Sequence, residues 1–322
     1  MAHPSGAGHG LNLPRNSRVG TIEPVLSTDD ATSLLARPPL STSENGVYRF
    51  VDDGAYANSF GLQWNEFATV QLDTPAHPDS ERRMLAESGF TPESIAGRKV
   101  LEAGCGMGRF LDVISRWGAS VAYGIDLSSA VDAAATNLAD RDNVAIGQAD
   151  IFDLPFAEGT FDAIYSLGVL HHTPDCEGAF HALVPFVAPG GEIAISVYAA
   201  VNQTGALSAI NLNRRKAMRS VTKRLPKPFM LWWSKTAPPF FVKLAKVPVL
   251  KYLRFAFPVM IYTEHPASWS VLDTFDTFAT HYESRHREKE VFDWFRQAGL
   301  VNIDLLPSED GWVSVRGRKP AA

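Results

Sequence analysis

A chain of 322 residues with 45% hydrophobic side chains and a formal charge of −5 is long enough to bury a full core and suits one large domain with additions. Two cysteines, Cys105 and Cys176, argue against a disulfide scaffold and a cysteine-based zinc site, and no run of eighteen apolar residues is present to cross a bilayer. The charge is lopsided: residues 193–263 carry twelve Lys or Arg and no Asp or Glu, leaving 18 basic and 35 acidic residues elsewhere, so a local basic field sits in an acidic protein.

Residues 1–45, rich in Pro, Gly, Ser and Thr without periodicity, read as a mobile leader. The opening MAHPSGAGHGLNLPRNSR lacks the apolar core of a signal peptide, and a cytoplasmic location is expected. Residues 46–97 read as an N-terminal helical cap, in which FGLQWNEF sets Phe60, Trp64 and Phe67 at i, i+4, i+7. From 98 to 199 strand and helix alternate: KVLEAGC, RFLDVISRWG, SVAYGIDL, SSAVDAAATNLAD, NVAIGQAD, then FDAIYSLGVL, and AFHALVPFV leading through APGG to EIAISVY. Five strands joined by crossovers predict a parallel sheet with helices on both faces. Ligands in such sheets sit at the carboxyl ends of the strands, where Glu102 to Gly108, Asp126, Asp150 and Leu167 to His172 all fall.

Residues 200–265 break the rhythm and read as a basic, aromatic helical insertion serving as a lid. Leu207, Ile210, Met218, Val221 and Leu225 share one helical face, with Arg215, Lys216, Arg219, Lys223 and Arg224 pointing elsewhere. Pro226, Pro228, Pro238, Pro239 and Pro248 are expected to divide the remainder into short pieces. FMLWW and FFVKLAKV set large apolar side chains beside lysines, which suits either a pocket roof or an anchor on an anionic membrane surface through residues 205–260. Residues 266–322 complete the fold with a helix, EKEVFDWFRQAG, stopped at Gly299, and the strands LVNIDLLP and GWVSVRGR.

The stretch VLEAGCGMGRF at 100–110 is a strand running into a glycine turn and then a helix, a geometry that cradles nucleotides. A dinucleotide fingerprint wants its third glycine one position later than Gly108, and a phosphate loop wants Gly-Lys-Ser or Gly-Lys-Thr where Gly108 is followed by Arg109. Glu102 stands where a pyrophosphate would have to lie, so the ligand there is expected to be neutral or cationic.

Together, E-x-G-x-G-x-G at 102–108, YGIDLS at 123–128, QADIFDLPF at 148–156, GTFDAIYSLGVLHH at 159–172 and APGGEIAIS at 188–196 resemble, in order and spacing, the class I S-adenosylmethionine-dependent methyltransferases. The likeness is greatest to the branch described as type 11 methyltransferases and covers roughly residues 95–198. TFDTFATHYESRHREKEVFDWFRQAGL at 274–300 resembles the carboxyl-terminal part of the same branch. The resemblance implies an α/β, Rossmann-like methyltransferase fold: a mostly parallel seven-stranded sheet, helices on both faces and a helical lid insertion. It also implies S-adenosyl-L-methionine as cofactor and a small-molecule acceptor. In the family's pattern the turn of Glu102, Gly104, Cys105, Gly106 and Gly108 lets the methionine portion lie on the backbone. Asp126, followed by Leu127, meets the ribose hydroxyls, Asp150 accepts from the adenine amino group and Ile151 packs on the ring. Leu167 lines the methyl end, and Gln63 or Trp64 reaches toward the methionine.

Methyl transfer from a sulfonium is an in-line displacement whose main demand is alignment in a dry pocket. A base is needed only where the acceptor must lose a proton, and His171 and His172, at the end of the fourth strand, are the candidates. No metal site is expected. Each assignment has a plainer counterpart: a tight turn for the glycines, helix N-caps for Asp126 and Asp150, core packing for Trp64 and Cys105, and a cap on the following helix, through Thr173 and Pro174, for one of the histidines. The acceptor is expected to be a small organic molecule, apolar or anionic, methylated at O, N or C. RNA methylation through the basic insertion is an alternative, weakened by the acidity of the rest of the chain, and a non-catalytic S-adenosylmethionine-binding protein is another.

Overall fold

The computed structural model describes residues 31–52, 57–74, 77–200, 206–247, 249–262, 267–308 and 311–322. Residues 1–30, the greater part of the expected leader, lie outside the described residues. A hairpin of β1 (Ser41–Thr42) and β2 (Tyr48–Arg49) comes first, followed by α1 (Asn58–Glu66), α2 (Asp79–Ser88) and a short α3 (Pro92–Ile95). The alternating core follows as β3 (Lys99–Ala103), α4 (Arg109–Arg116), β4 (Val121–Asp126), α5 (Ala130–Asn137), β5 (Val144–Gln148), β6 (Phe161–Leu167), α6 (Cys176–Leu183) and β7 (Val187–Tyr198). Two long helices, α7 (Ala206–Thr222) and α8 (Lys227–Ala245), and a 3-10 segment at Leu250–Ala256 make up the insertion. The chain then closes with α9 (Ala267–Ala279), α10 (Glu288–Gln297), β8 (Val301–Leu306) and β9 (Trp312–Arg318).

The strands form one sheet in the order β1-β2-β5-β4-β3-β6-β7-β9-β8. Pairings from β2 through β7 are parallel, and β1, β8 and β9 pair antiparallel. The sheet thus has nine strands where seven were expected, the two additional ones being the β1–β2 hairpin. This corrects the boundary of the leader, because residues 31–45 pack on the sheet. Ala31 and Leu34 are buried, Ala36 N–H donates to Pro155 O at 2.7 Å, and Arg37 pairs with Asp153 at 2.7 Å. The stretch carries too few apolar residues for periodicity to show. What holds it is pairing of backbone groups, to which sequence patterning is blind.

Apolar alternation at period two builds a core on each face. Leu101, Tyr123, Ala145, Ile164, Ile193 and Ile195 join Phe180, Trp294 and Phe295 of α6 and α10. Val100, Ala122, Ile146, Tyr165 and Ala194 join Phe110, Leu111, Ile114, Val131 and Met84 of α4, α5 and α2. Strands covered on both faces read as continuous apolar runs, as VAYGI and EIAISV do. The order of strands reverses beside β3, from which the chain goes out to β4 and β5 and then returns to β6. Such a switch point opens a crevice at the carboxyl ends.

The insertion differs from expectation in two respects. Pro238 and Pro239 lie inside α8 and do not end it. An interior proline costs about 3 kcal/mol, and burial of Met230, Ala237, Pro238 and Phe241 on one side of the helix offsets that loss. In α7 the expected division of faces is partly reversed. Val221 is 60% exposed, whereas Arg215 and Arg219 turn inward to Glu283, Arg219 at 3.0 Å. Arg219 also donates to Thr277 O, Thr222 Oγ1 to Phe278 O at 2.8 Å, and Lys227 Nζ to Ala279 O. The last carbonyls of α9, which have no partner within the helix, are thereby capped by two cations and a hydroxyl.

Candidate functional site

The turn after β3 is set by glycine geometry. Gly104 has φ +86°, and a Cβ there would lie 2.3 Å from Val169 Cγ1. At Gly106, with φ +52°, it would come within 3.3 Å of the Trp64 indole nitrogen. Any side chain at these positions would fill the crevice from below. Gly104, Cys105 and Gly106 line a cavity of about 210 Å³, to which Trp64, Glu102, Asp126, Leu127, Ile151 and Leu167 also contribute. Nine of the expected site residues, drawn from α1 and the carboxyl ends of β3, β4, β5 and β6, therefore converge on one space.

Three others do not line it. Gly108 caps α4 at φ +89°, and a Cβ there would collide with Leu138 of the neighbouring segment, so its role is close packing of helices. Asp150 is half-buried just beyond β5, with Oδ1 accepting Phe152 N–H at 3.0 Å in a local turn. His171 is fully buried behind the cavity, its ring 3.8 Å from that of Tyr198 and 4.2 Å from that of His172. Neither of its ring nitrogens has a hydrogen-bond partner among the described residues, and burial pushes its pKa well below the usual histidine range, so it is neutral. Gln63, the alternative to Trp64 for the methionine end, lines the cavity beside it. His172 lines it too, and its Nδ1 lies 3.0 Å from Tyr282 O. A carbonyl can only accept, so Nδ1 carries the proton and Nε2 is the basic nitrogen of the neutral ring. Neither histidine caps the following helix. The N-cap of α6 is Asp175, whose carboxylate accepts Gly178 N–H at 2.9 Å.

The electrostatics of the cavity are those of two desolvated acids. Glu102 is buried and accepts the Tyr165 hydroxyl at 3.0 Å, and burial, with Asp126 adding, raises its pKa well above the ordinary carboxylate range. Asp126 accepts Gly106 N–H at 3.0 Å, Ser128 N–H at 2.8 Å and the Ser128 hydroxyl at 2.7 Å; burial raises its pKa despite these donors. The nearby guanidinium of Arg109 is spent on Ser80 and Gln71. Gln63 Oε1 is buried and accepts no hydrogen bond among the described residues. A cationic or donor-bearing ligand would satisfy all three groups at once.

The far wall was not legible in the sequence. It is made by Phe60, Val169, Tyr198, Leu272, Asp273, Asp276, Arg83 and Trp312. The Tyr198 hydroxyl donates to Asp276 at 3.2 Å. Burial, with Asp276 adding, lifts Asp273 to about 6, against the Tyr262 hydroxyl and Arg215, which hold it down. Arg83 binds Glu87 through two nitrogens, at 2.7 and 3.0 Å, and lies 5.0 Å over the Trp312 ring. Asp273 and Asp276 have the i, i+3 spacing of one helix face, a signal that ordinary solvated acids share.

A family profile described as a methyltransferase domain matches residues 101–195, from the middle of β3 to the middle of β7. Residues 101–195 are a class I S-adenosylmethionine-dependent methyltransferase domain. The chain is 36% identical over 141 residues to a chloroplastic tocopherol O-methyltransferase of Arabidopsis thaliana, covering 40% of each chain. It is 36% identical over 105 residues to a ubiquinone biosynthesis O-methyltransferase of Pseudomonas aeruginosa, covering 32% of this chain and 45% of that one. The matches thus span less than half the length of these relatives. Among solved structures, magnesium protoporphyrin IX methyltransferase from Synechocystis PCC 6803 with bound S-adenosylhomocysteine superposes with a TM-score of 0.46 at 15% identity, over 82% of this chain and 96% of that one. The fold itself rests on the strand order observed here.

The lining of this methyltransferase domain suits its cofactor. S-adenosylmethionine carries a sulfonium and an ammonium but no phosphate, which matches a crevice holding Glu102, Asp126 and the orphaned Gln63 oxygen. Ile151, Leu127 and Trp64 supply apolar surface for an adenine and a thioether.

Proposed function

We propose that the protein transfers a methyl group from S-adenosylmethionine to a hydroxyl group of a small, uncharged, partly aromatic acceptor held against α9. The convergence of Glu102, Asp126 and Gln63 on the same cavity as Asp273, Asp276, Tyr198 and His172 carries this reading, because one continuous space then serves both cofactor and acceptor. Two acids in the acceptor wall favour a neutral molecule over the anionic one that the sequence allowed. Phe60, Leu272 and Trp312 offer it apolar and aromatic surface.

When bound, S-adenosylmethionine supplies an electrophilic methyl on a positive sulfur with a neutral leaving group. Glu102 and Gln63 would hold its ammonium, Asp126 its ribose, and Ile151 and Leu127 its ring, with Leu167 beside the methyl. The chain's remaining task is to align the acceptor, keep water out and take one proton. His172 Nε2 is the proposed proton acceptor, with the tautomer fixed by Tyr282 O and the ring steadied by Phe60, whose centroid is 5.1 Å away. Asp273, still protonated near neutrality more often than an ordinary aspartate, would accept a hydrogen bond or donate one to the acceptor oxygen. Asp150 is kept as the partner of the adenine amino group only if its side chain turns from Phe152 N–H.

Calorimetry with S-adenosylmethionine, S-adenosylhomocysteine, NAD and ATP tests the reading. The first two should bind and the last two should not, and Asp126→Ala should weaken binding by about 1.5–3 kcal/mol, the range for hydrogen bonds involving a charged group. NAD binding without S-adenosylmethionine binding would overturn it.

A further inference from the structure

Helix α8 is apolar on opposite sides. Met230, Ala237 and Phe241 are buried against α9 and the segment that follows α8, with Met230 beside Phe275 and Phe278 and Phe241 beside Val259, and Pro238 is buried with them. The opposite stripe, at positions 229, 232, 236, 240 and 243, falls within a narrow arc at 100° per residue and points away from the protein. It presents Phe229, Trp232 at 56% and Phe240 at 57% exposed. The chain extends the same kind of surface beyond the helix, with Val247, Val249 at 79% exposed, Tyr252 and Leu253. A helix face that carries large apolar side chains is ordinarily buried. Scattered exposed apolar residues are normal, but a run of large ones on one helix and its continuation marks a contact surface.

Charge identifies the partner. Residues 193–263 contain no Asp or Glu, and Lys216, Lys235 and Lys243 on α7 and α8, with Arg224 and Lys246 just beyond their ends, are exposed. Among these Lys235 is engaged by Glu66. A second copy docking face to face would oppose lysine with lysine. A bilayer of anionic lipids offers apolar depth to Trp232 and Phe240 and phosphate to the lysines around them. No helix among the described residues is long and apolar enough to cross a membrane, so contact of this kind is peripheral.

We propose that the outer face of α8 and the 3-10 segment after it, centred on Phe229, Trp232, Phe240 and Tyr252 and flanked by Lys243 and Lys246, docks the protein on an anionic lipid surface. The placement has a consequence for substrate entry. Lys235 ties α8 to α1, which supplies Phe60, Gln63 and Trp64 to the cavity. Helix α9 packs between α8 and the cavity and supplies Leu272, Asp273 and Asp276. The docking face therefore lies one helix layer outside the acceptor wall, which suits an acceptor dissolved in the membrane. That consequence rests on the proposed methyl transfer, whereas the docking does not.

Vesicle flotation of the full chain tests the docking without any acceptor. Vesicles of phosphatidylcholine containing about 30% phosphatidylglycerol should carry the protein at low salt, while phosphatidylcholine alone should carry roughly tenfold less, and about 0.5 M salt should release it. The paired variant W232S/F240S should reduce flotation about tenfold, since both side chains are exposed and leave the core intact, and K243E/K246E should do the same. Unchanged melting temperature and unchanged S-adenosylmethionine binding in both variants would show that fold and cofactor site survive, separating failure of docking from failure of the methyltransferase reading. Absence of flotation with anionic vesicles at low salt would overturn the proposal. So would flotation indifferent to both variants, a concentration-dependent dimer abolished by W232S/F240S without vesicle binding, or single-stranded RNA binding that the lysine variant removes while vesicles go unbound.

Discussion

At the scale of single residues, the two adjacent histidines show how one position along the chain changes chemistry. The His171 ring is walled in by Tyr198, Trp312 and His172, neither of its nitrogens has a hydrogen-bond partner among the described residues, and burial keeps it neutral. His172 lines the cavity and has its tautomer fixed by Tyr282 O. His172→Gln should lower turnover of a hydroxyl acceptor by about 10²–10⁴-fold, the usual contribution of a general base, and flatten the rise of rate with pH. His171→Gln should leave the shape of that profile intact and lower the melting temperature, because a polar amide would replace a ring packed among rings. Equal and unchanged pH profiles for both variants would remove histidine base catalysis. The sequence placed both residues at the end of β6; which of them faces the cavity depends on the 3-10 turn at Leu170–His172 and on Tyr198, twenty-six residues away from the nearer histidine.

At the scale of elements, the insertion is bound to the fold through its charges. Seven of the contacts that matter here run from α7 and the start of α8 to the end of α9 and to Glu283, with Arg219 central among them. Glu283 is held below the ordinary carboxylate range by Arg219, Arg215 and Arg285 acting against its burial. Arg219→Ala would uncap α9 and leave Glu283 with weaker compensation in a half-buried setting, at a cost of about 2–4 kcal/mol. Because α9 supplies Leu272, Asp273 and Asp276, the same change should raise the KM for the acceptor more than it weakens S-adenosylmethionine binding. Urea denaturation and calorimetry on the variant check the two halves of that expectation. The basic composition of residues 193–263 was read from the sequence as a surface field, yet Arg215, Arg219 and Lys227 serve internal caps. Periodicity locates a face on a helix and cannot say which face a distant carboxylate will claim.

At the scale of the whole molecule, several buried acids share one sign of linkage to pH. Glu102, Asp126 and Asp273 have folded-state pKa values raised by burial, so the folded protein retains their protons to higher pH than the unfolded chain does. Each therefore subtracts stability as pH rises through the window between its unfolded and folded values. For Asp273 that window runs from 3.8 to about 6. Asp273→Asn should accordingly gain stability over the parent protein at pH 7.5 and lose that advantage below pH 4, by about 1–2 kcal/mol after allowance for its partial exposure. Glu283 and His171 act in the opposite direction, losing stability as pH falls, which is why the difference between variant and parent is the quantity to follow in thermal unfolding across pH. A difference that does not change with pH would show that Asp273 is not desolvated as its position in the cavity implies.

The sequence by itself determined the alternating core, the parallel order of its strands and the edge on which Glu102, Gly104, Gly106, Asp126, Ile151 and Leu167 would meet. It could do so because a right-handed crossover sends every strand's carboxyl end to the same side, which turns positions along the chain into positions in space. The β1–β2 hairpin, the unbroken course of α8 through Pro238 and Pro239, the inward turn of Arg219 and the acceptor wall of Tyr198, Asp273, Asp276 and Trp312 were decided by the tertiary structure alone. Each depends on a partner that is remote in sequence and leaves no local period. Asp126 and Asp273 make the contrast plain: the first is held by Gly106 and Ser128, close by in the motif, and the second owes its raised pKa to burial on a helix that only folding brings against the cavity.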